Sequence, residues 1–176
     1  TAYSPFLVID GVGYKTKHEP CEALSRYANE LLSSGTAGII LEEPPALSVI
    51  SGGVSVNAFL GSYSWQKKDA DGNSVSINAG SAHSLDCEEL LSPPHETLEA
   101  TAALRFAEEP DAVFSVKCWS DEYWGEPAAD SERAAVNGDV LTLKAGGYIY
   151  EITAGWNAEN GYGGTASYFI YIKMTE

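Results

Sequence analysis

"LTLKAGGYIYEITAGWNAENGYGGTASYFIYI", residues 141–172, decides the fold of this 176-residue chain. Tyr148, Tyr150, Ile152, Ala154 and Trp156 recur at every second position, the spacing that puts side chains on one face of a β-strand. Leu141 and Leu143 alternate in the same way just before, and "AGG" separates the two runs. "NAENGYGG" is turn chemistry, and "TASYFIYIK" resumes the period of two. The order is therefore short strand, corner, long strand, hairpin, last strand, with the aromatic row of the long strand facing a core.

Further strands follow on the same criterion. Working upstream, residues 140–144, 113–119, 97–106, 74–78 and 54–65 alternate, and with 148–156 and 165–173 they make seven strand candidates. Between them lie "KKDADGNS", "EEPDA" and "VNGD", and no helical period intervenes, which predicts an antiparallel sandwich rather than a parallel sheet. The long interruption "AGSAHSLDCEELLSPPHE" reads as a crossover between sheets carrying one helical turn. Near the start, Asp10-Gly11 between two short apolar runs predicts a hairpin. In residues 19–35, Ala23, Leu24, Tyr27, Ala28, Leu31 and Leu32 recur at helical spacing, with Pro20 near the start and Gly35 at the C-cap position. The fold class expected is thus mainly β, an immunoglobulin-like antiparallel β-sandwich over residues 46–176. A hairpin and one amphipathic α-helix over residues 1–45 pack on it.

A tyrosine just after a glycine-containing corner is the position of the tyrosine corner of Greek-key sandwiches, where the phenol satisfies upstream backbone. Tyr148 and Tyr150 both qualify. The succession of "GSYSW", "HSLDC", "VKCWSDEYWG" and "GGYIYEITAGW" resembles an extracytoplasmic module of Gram-positive bacteria. That module occurs in uncharacterised lipoproteins and behind membrane sensor metallopeptidases. The resemblance implies an extracellular, envelope-associated location and an all-β fold, and it carries no activity. The H-E-x-x-H zinc motif of such peptidases is absent from this sequence.

Composition narrows the partners. Twenty-five acidic against ten basic residues give a net charge of -15, which repels phosphate backbones, so no nucleic-acid partner is expected. No run of about 18 apolar residues is present, so no membrane-spanning segment is expected. The start at Thr1 reads as a mature or trimmed chain from which a signal or anchor has been removed. Cys21, Cys87 and Cys118 show no C-x-x-C spacing, which argues against zinc and thioredoxin-type sites. If one disulfide forms, Cys87 to Cys118 is the first pair to test.

In "VFSVKCW", alternation assigns Phe114, Val116 and Cys118 to the core and Ser115, Lys117 and Trp119 to the other face. "SDEYWGEP" beyond has loop composition. Trp119, Tyr123 and Trp124 beside Asp121 and Glu122 therefore form a candidate ligand platform, in which rings stack on apolar sugar faces and carboxylates accept hydroxyl hydrogen bonds. The competing reading has the tryptophans folding back over their own core. Tyr162, in the "NAENGYGG" turn, completes the ligand-binding candidates.

Other motifs fail on spacing. Asp69, Asp71 and Asn73 resemble the start of a calcium loop, but Gly80 stands where its twelfth-position glutamate belongs, so a hairpin turn explains them. His18, His83 and His95 fall in three separate segments and read as loop or exposed residues, with no metal site expected. His83, Asp86 and Cys87 are too close in sequence to hold a nucleophile-base geometry without an oxyanion hole. No cofactor is implied. These readings predict a non-enzymatic module that recognises a protein, peptide or glycan through loops at one end of the sandwich. The alternative is a structural spacer of a surface lipoprotein or membrane sensor.

Overall fold

The computed structural model describes residues 7–9, 12–14 and 41–175, and the chain divides into two compact units, Thr1–Ile39 and Ile40–Glu176. In the first, β1 (Leu7–Ile9) and β2 (Val12–Tyr14) pair antiparallel, with Ile9 opposite Val12. This is the hairpin expected around Asp10-Gly11. The helix expected over residues 19–35 lies outside the described residues, as do His18 and Cys21.

The second unit is mainly β and forms a sandwich of two sheets. One contains, in spatial order, β11 (Val136–Asn137), β12 (Val140–Thr142), β8 (Thr101–Phe106), β3 (Leu47–Ser51) and β4 (Val54–Asn57). The other runs β10 (Glu132–Arg133), β9 (Ala112–Ser120), β13 (Gly146–Trp156), β14 (Tyr162–Met174), β5 (Phe59–Lys68) and β6 (Ser74–Ala79). Its seventh strand, β7 (His95–Thr97), pairs with the end of β14 and is parallel to it, with His95 opposite Ile172. All other pairs are antiparallel. The adjacencies β3-β8-β12-β11 and β9-β13-β14 are compatible with the four-strand and three-strand sheets of an immunoglobulin-like domain, with β4, β5, β6, β7 and β10 added.

The two inner faces make one core. Leu47, Val49, Leu104 and Leu141 come from the smaller sheet, and Trp65, Val116, Tyr150, Ile152, Ala154 and Tyr168 from the larger. Removing this apolar area from water is the main stabilising term. The aromatic row read from residues 148–156 faces inward as expected: Tyr150, Ile152, Ala154 and Trp156 are buried and Tyr148 half-buried. The corner expectation resolves onto Tyr150, whose hydroxyl accepts the Lys144 N–H at 2.9 Å. A second phenol does similar work, Tyr168 donating to the Pro45 carbonyl at 2.6 Å.

Four sequence expectations need correction. Residues 97–106 are not one strand, because Thr97 ends β7 in the larger sheet and β8 begins only at Thr101 in the smaller. Residues 54–65 are two strands in different sheets, because the chain switches sheets at Ala58, whose N–H donates to the Leu47 carbonyl at 2.8 Å. The alternation runs through the switch and hides it. Phe114 is not in the core and is 60% exposed. A bulge in the β9–β13 ladder pairs Thr153 with Ser115 but Ala154 with Val113; the unpaired Phe114 is turned outward. His95 is buried in β7 rather than lying in an exposed loop.

The 80–94 segment crosses as expected and carries a helical turn, α1 (Glu88–Leu91). It leaves β6, bonds Ser81 to the Ser62 hydroxyl on the outer face of the larger sheet, and brings the His83 ring within 5.1 Å of Trp119. One half of that outer face is thereby covered.

Candidate functional site

Strand β9 ends at Ser120, whose hydroxyl caps the 3₁₀ turn Asp121–Tyr123. The chain then folds back. Gly125, at φ 79°, donates its N–H to the Leu85 carbonyl at 2.9 Å, and the Glu126 N–H donates to the Tyr123 carbonyl at 2.9 Å. Trp119 closes the loop from below, its indole N–H donating to the Ala129 carbonyl at 3.1 Å. A glycine suits position 125 because only it adopts a positive φ at no steric cost.

Beneath this turn lies a second, small core on the outer face of the larger sheet. Leu85, Trp119 and Ile149 are buried there, with Leu91, Trp124, Ala129 and Tyr171 packed against them. Tyr171 donates its hydroxyl hydrogen to Asp121 Oδ2 at 2.7 Å, and Trp124 stands edge-on to the Tyr171 ring at 5.4 Å. The Asp121 carboxylate lies over Gly147, where a Cβ would collide with it. Burial, and then Asp121 itself, pushes the Tyr171 phenol up to about 12. The proton thus stays on the phenol, which donates it to the Asp121 carboxylate.

The ligand candidates separate accordingly. Trp119 is buried, Asp121 and Trp124 are half-buried, and Tyr123 is 42% exposed. These four are brought together; Tyr162 is not. It is buried at the opposite end of β14, its ring stacked on Trp65 at 6.0 Å. Ten residues of strand separate it from Ile172, which lies beside the Asp121 end, a distance of about 33 Å. The tryptophans thus follow the competing reading and cover their own sheet, which leaves Tyr123 as the presented ring. Glu122 and Glu126, in the same loop, are exposed.

Sequence reasoning missed Leu85, Ile149 and Tyr171. The signal was present: Ile149 and Tyr171 are apolar-bodied residues at the outward positions of strands whose alternate positions fill the main core. The register puts Ile149 directly between Trp119 and Tyr171.

The two described cysteines are free and buried. Cys118 faces the main core, whereas the Cys87 thiol donates to the His83 carbonyl at 3.3 Å in the segment crossing the outer face, so the pair considered for a disulfide is not joined. Burial pushes both thiols up. No three His, Cys, Asp or Glu side chains converge for a metal among the described residues, and none of the described helices is long and apolar enough to cross a membrane. At the Trp156 end, a cleft of about 370 Å³ between the sheets is floored by Leu104, Phe106, Val113 and Val136, with Glu109 and Asp139 at its rim. Asp139 is ion-paired with Arg105 there.

No family model, curated protein or solved structure matches the sequence.

Proposed function

We propose that this chain is a non-enzymatic extracytoplasmic recognition module of a Gram-positive bacterium that binds a protein, peptide or glycan through the loops at one end of its sandwich. The single observation that carries the reading is the Tyr123 turn. An aromatic ring 42% exposed stands on a turn tied to Leu85, Tyr171 and Ala129 by hydrogen bonds. Rigid aromatic side chains held in advance lose little entropy on binding, which is why they dominate contact surfaces. Glu122 and Glu126, exposed in the same loop, favour a partner presenting hydrogen-bond donors or a basic side chain. The compartment rests on the sequence resemblance.

Envelope protein extract, cell-wall peptides and cell-wall glycans from a Gram-positive bacterium, each passed over the immobilised chain, test the reading. Retention of a component, weakened about tenfold by Tyr123→Ala with the circular dichroism spectrum unchanged, is the expected result. Absence of any retained component would leave the spacer as the better description.

A further inference from the structure

The half of the outer face that the 80–94 segment leaves open has an unexpected composition. Register places Gly155, Thr165, Ser64 and Asn78 in one row across β13, β14, β5 and β6. The ring of Phe114 lies over Gly155 at the β9 end of that row. The flanking rows, Ser115–Thr153–Ser167 and Gly163–Gln66–Ser76, are also uncharged. Charged residues border these rows, with Lys117 and Glu151 on one side, Lys68 on the other, and Asp111, whose carboxylate accepts the Asn157 N–H at 2.5 Å, at the β9 end. In a chain with 25 acidic residues and a net charge of -15, these three rows carry no carboxylate.

Chemistry on this face is specific. Thr165, Ser64, Asn78, Gln66 and Ser76 are exposed, and none of these side chains forms a hydrogen bond with another described residue. Hydroxyls and amides each donate and accept, which matches the donor-acceptor character of sugar hydroxyls and not that of an ion. Phe114 adds a flat apolar ring, 60% exposed. It is directed outward by a bulge, the device that re-aims side chains beside functional surfaces, and Gly155 makes room for it. Five strands at about 4.8 Å spacing give a platform about 19 Å across, long enough for several sugar rings.

We infer that this face binds an extended, uncharged polysaccharide, with Phe114 stacking on a sugar ring and the Gly155–Thr165–Ser64–Asn78 row hydrogen-bonding its hydroxyls. The lack of charge selects against anionic polymers, which the remaining carboxylates repel. The surface is separate from the Tyr123 turn and stands or falls without it.

Affinity electrophoresis of the full chain through gels containing cellulose derivative, β-1,3-glucan, soluble starch, glycol chitin or, as the anionic comparison, polygalacturonate provides the test. At least one neutral polymer retards the wild type and polygalacturonate does not. Phe114→Ala and Thr165→Lys each weaken that retardation about tenfold, and Tyr123→Ala leaves it unchanged. Both substitutions are at exposed positions, and circular dichroism confirms folding. Free migration of the wild type in every neutral gel overturns the inference, as does retardation that survives Thr165→Lys.

Discussion

The phenol of Tyr171, on the last strand, donates to Asp121 Oδ2 at 2.7 Å and so fixes the turn that follows β9 to a strand two places away in the sheet. Because Asp121 also fills the space over Gly147, backbone, carboxylate and phenol form one assembly. Tyr171→Phe removes the donor and leaves a half-buried carboxylate short of a partner. A loss of about 1–2 kcal/mol in urea denaturation follows, with a change in tryptophan fluorescence as Trp124 shifts. Equal stability and an unchanged spectrum would show that the bond is incidental.

Tyr150 tests the corner between the sheets. Its buried hydroxyl is the acceptor for the Lys144 N–H, so Tyr150→Phe preserves the ring and orphans a backbone donor. The expected cost is about 1–3 kcal/mol. The same change at half-buried Tyr148, which makes no such bond among the described residues, costs less. A larger loss at Tyr148 would reassign the corner.

These tyrosines also set the alkaline limit. Burial raises the Tyr150 and Tyr171 phenols to about 12 and raises Tyr168 further, against about 10 in an unfolded chain. The folded state therefore holds these protons more tightly. Their contribution is complete below pH ~10 and is lost as pH rises toward ~12, because the unfolded chain ionises first. Stability measured by urea titration should be flat through neutral pH, fall between these limits, and fall less steeply in Tyr150→Phe.

Much of this architecture was legible because burial on one sheet face imposes a period of two. Residues 148–156 show it without interruption, and the structure follows. Legibility failed where the backbone departs from regularity at constant sequence period. Ala58 changes sheets in mid-alternation, and the bulge opposite Thr153 and Ala154 reverses Phe114. The small core under the Tyr123 turn escaped for another reason. Its members Leu85, Trp119, Ile149 and Tyr171 come from four segments; the register of β9, β13 and β14 aligns the last three, and the crossing segment lays Leu85 over them.

The thiols provide a separate test of layer assignment. Cys118 lies between the sheets and Cys87 in the segment crossing the outer face, both buried with thiols pushed up by burial. Thiolate is the reactive form, so both should react with a disulfide reagent only as the chain unfolds in urea. Mass spectrometry of non-reduced digests should find no Cys87–Cys118 bridge. Rapid labelling of Cys118 in the native chain would mean that the β9 face has been assigned to the wrong side.

Two glycines of the β13–β14 pair distinguish backbone from side-chain crowding. At Gly164, with φ 146°, an added Cβ would run into the Ser64 carbonyl. Neither the dihedral nor the neighbouring strand can yield without breaking the β14–β5 ladder, so Gly164→Ala should cost about 3 kcal/mol or more. At Gly155 the obstacle is only the Phe114 ring, a side chain 60% exposed and free to rotate away. Gly155→Ala should therefore stay within about 1 kcal/mol of wild type while displacing the ring and weakening polysaccharide retardation as Phe114→Ala does. A severe loss of stability at Gly155 would mean that Phe114 is held down by the fold and is not a side chain presented on the surface.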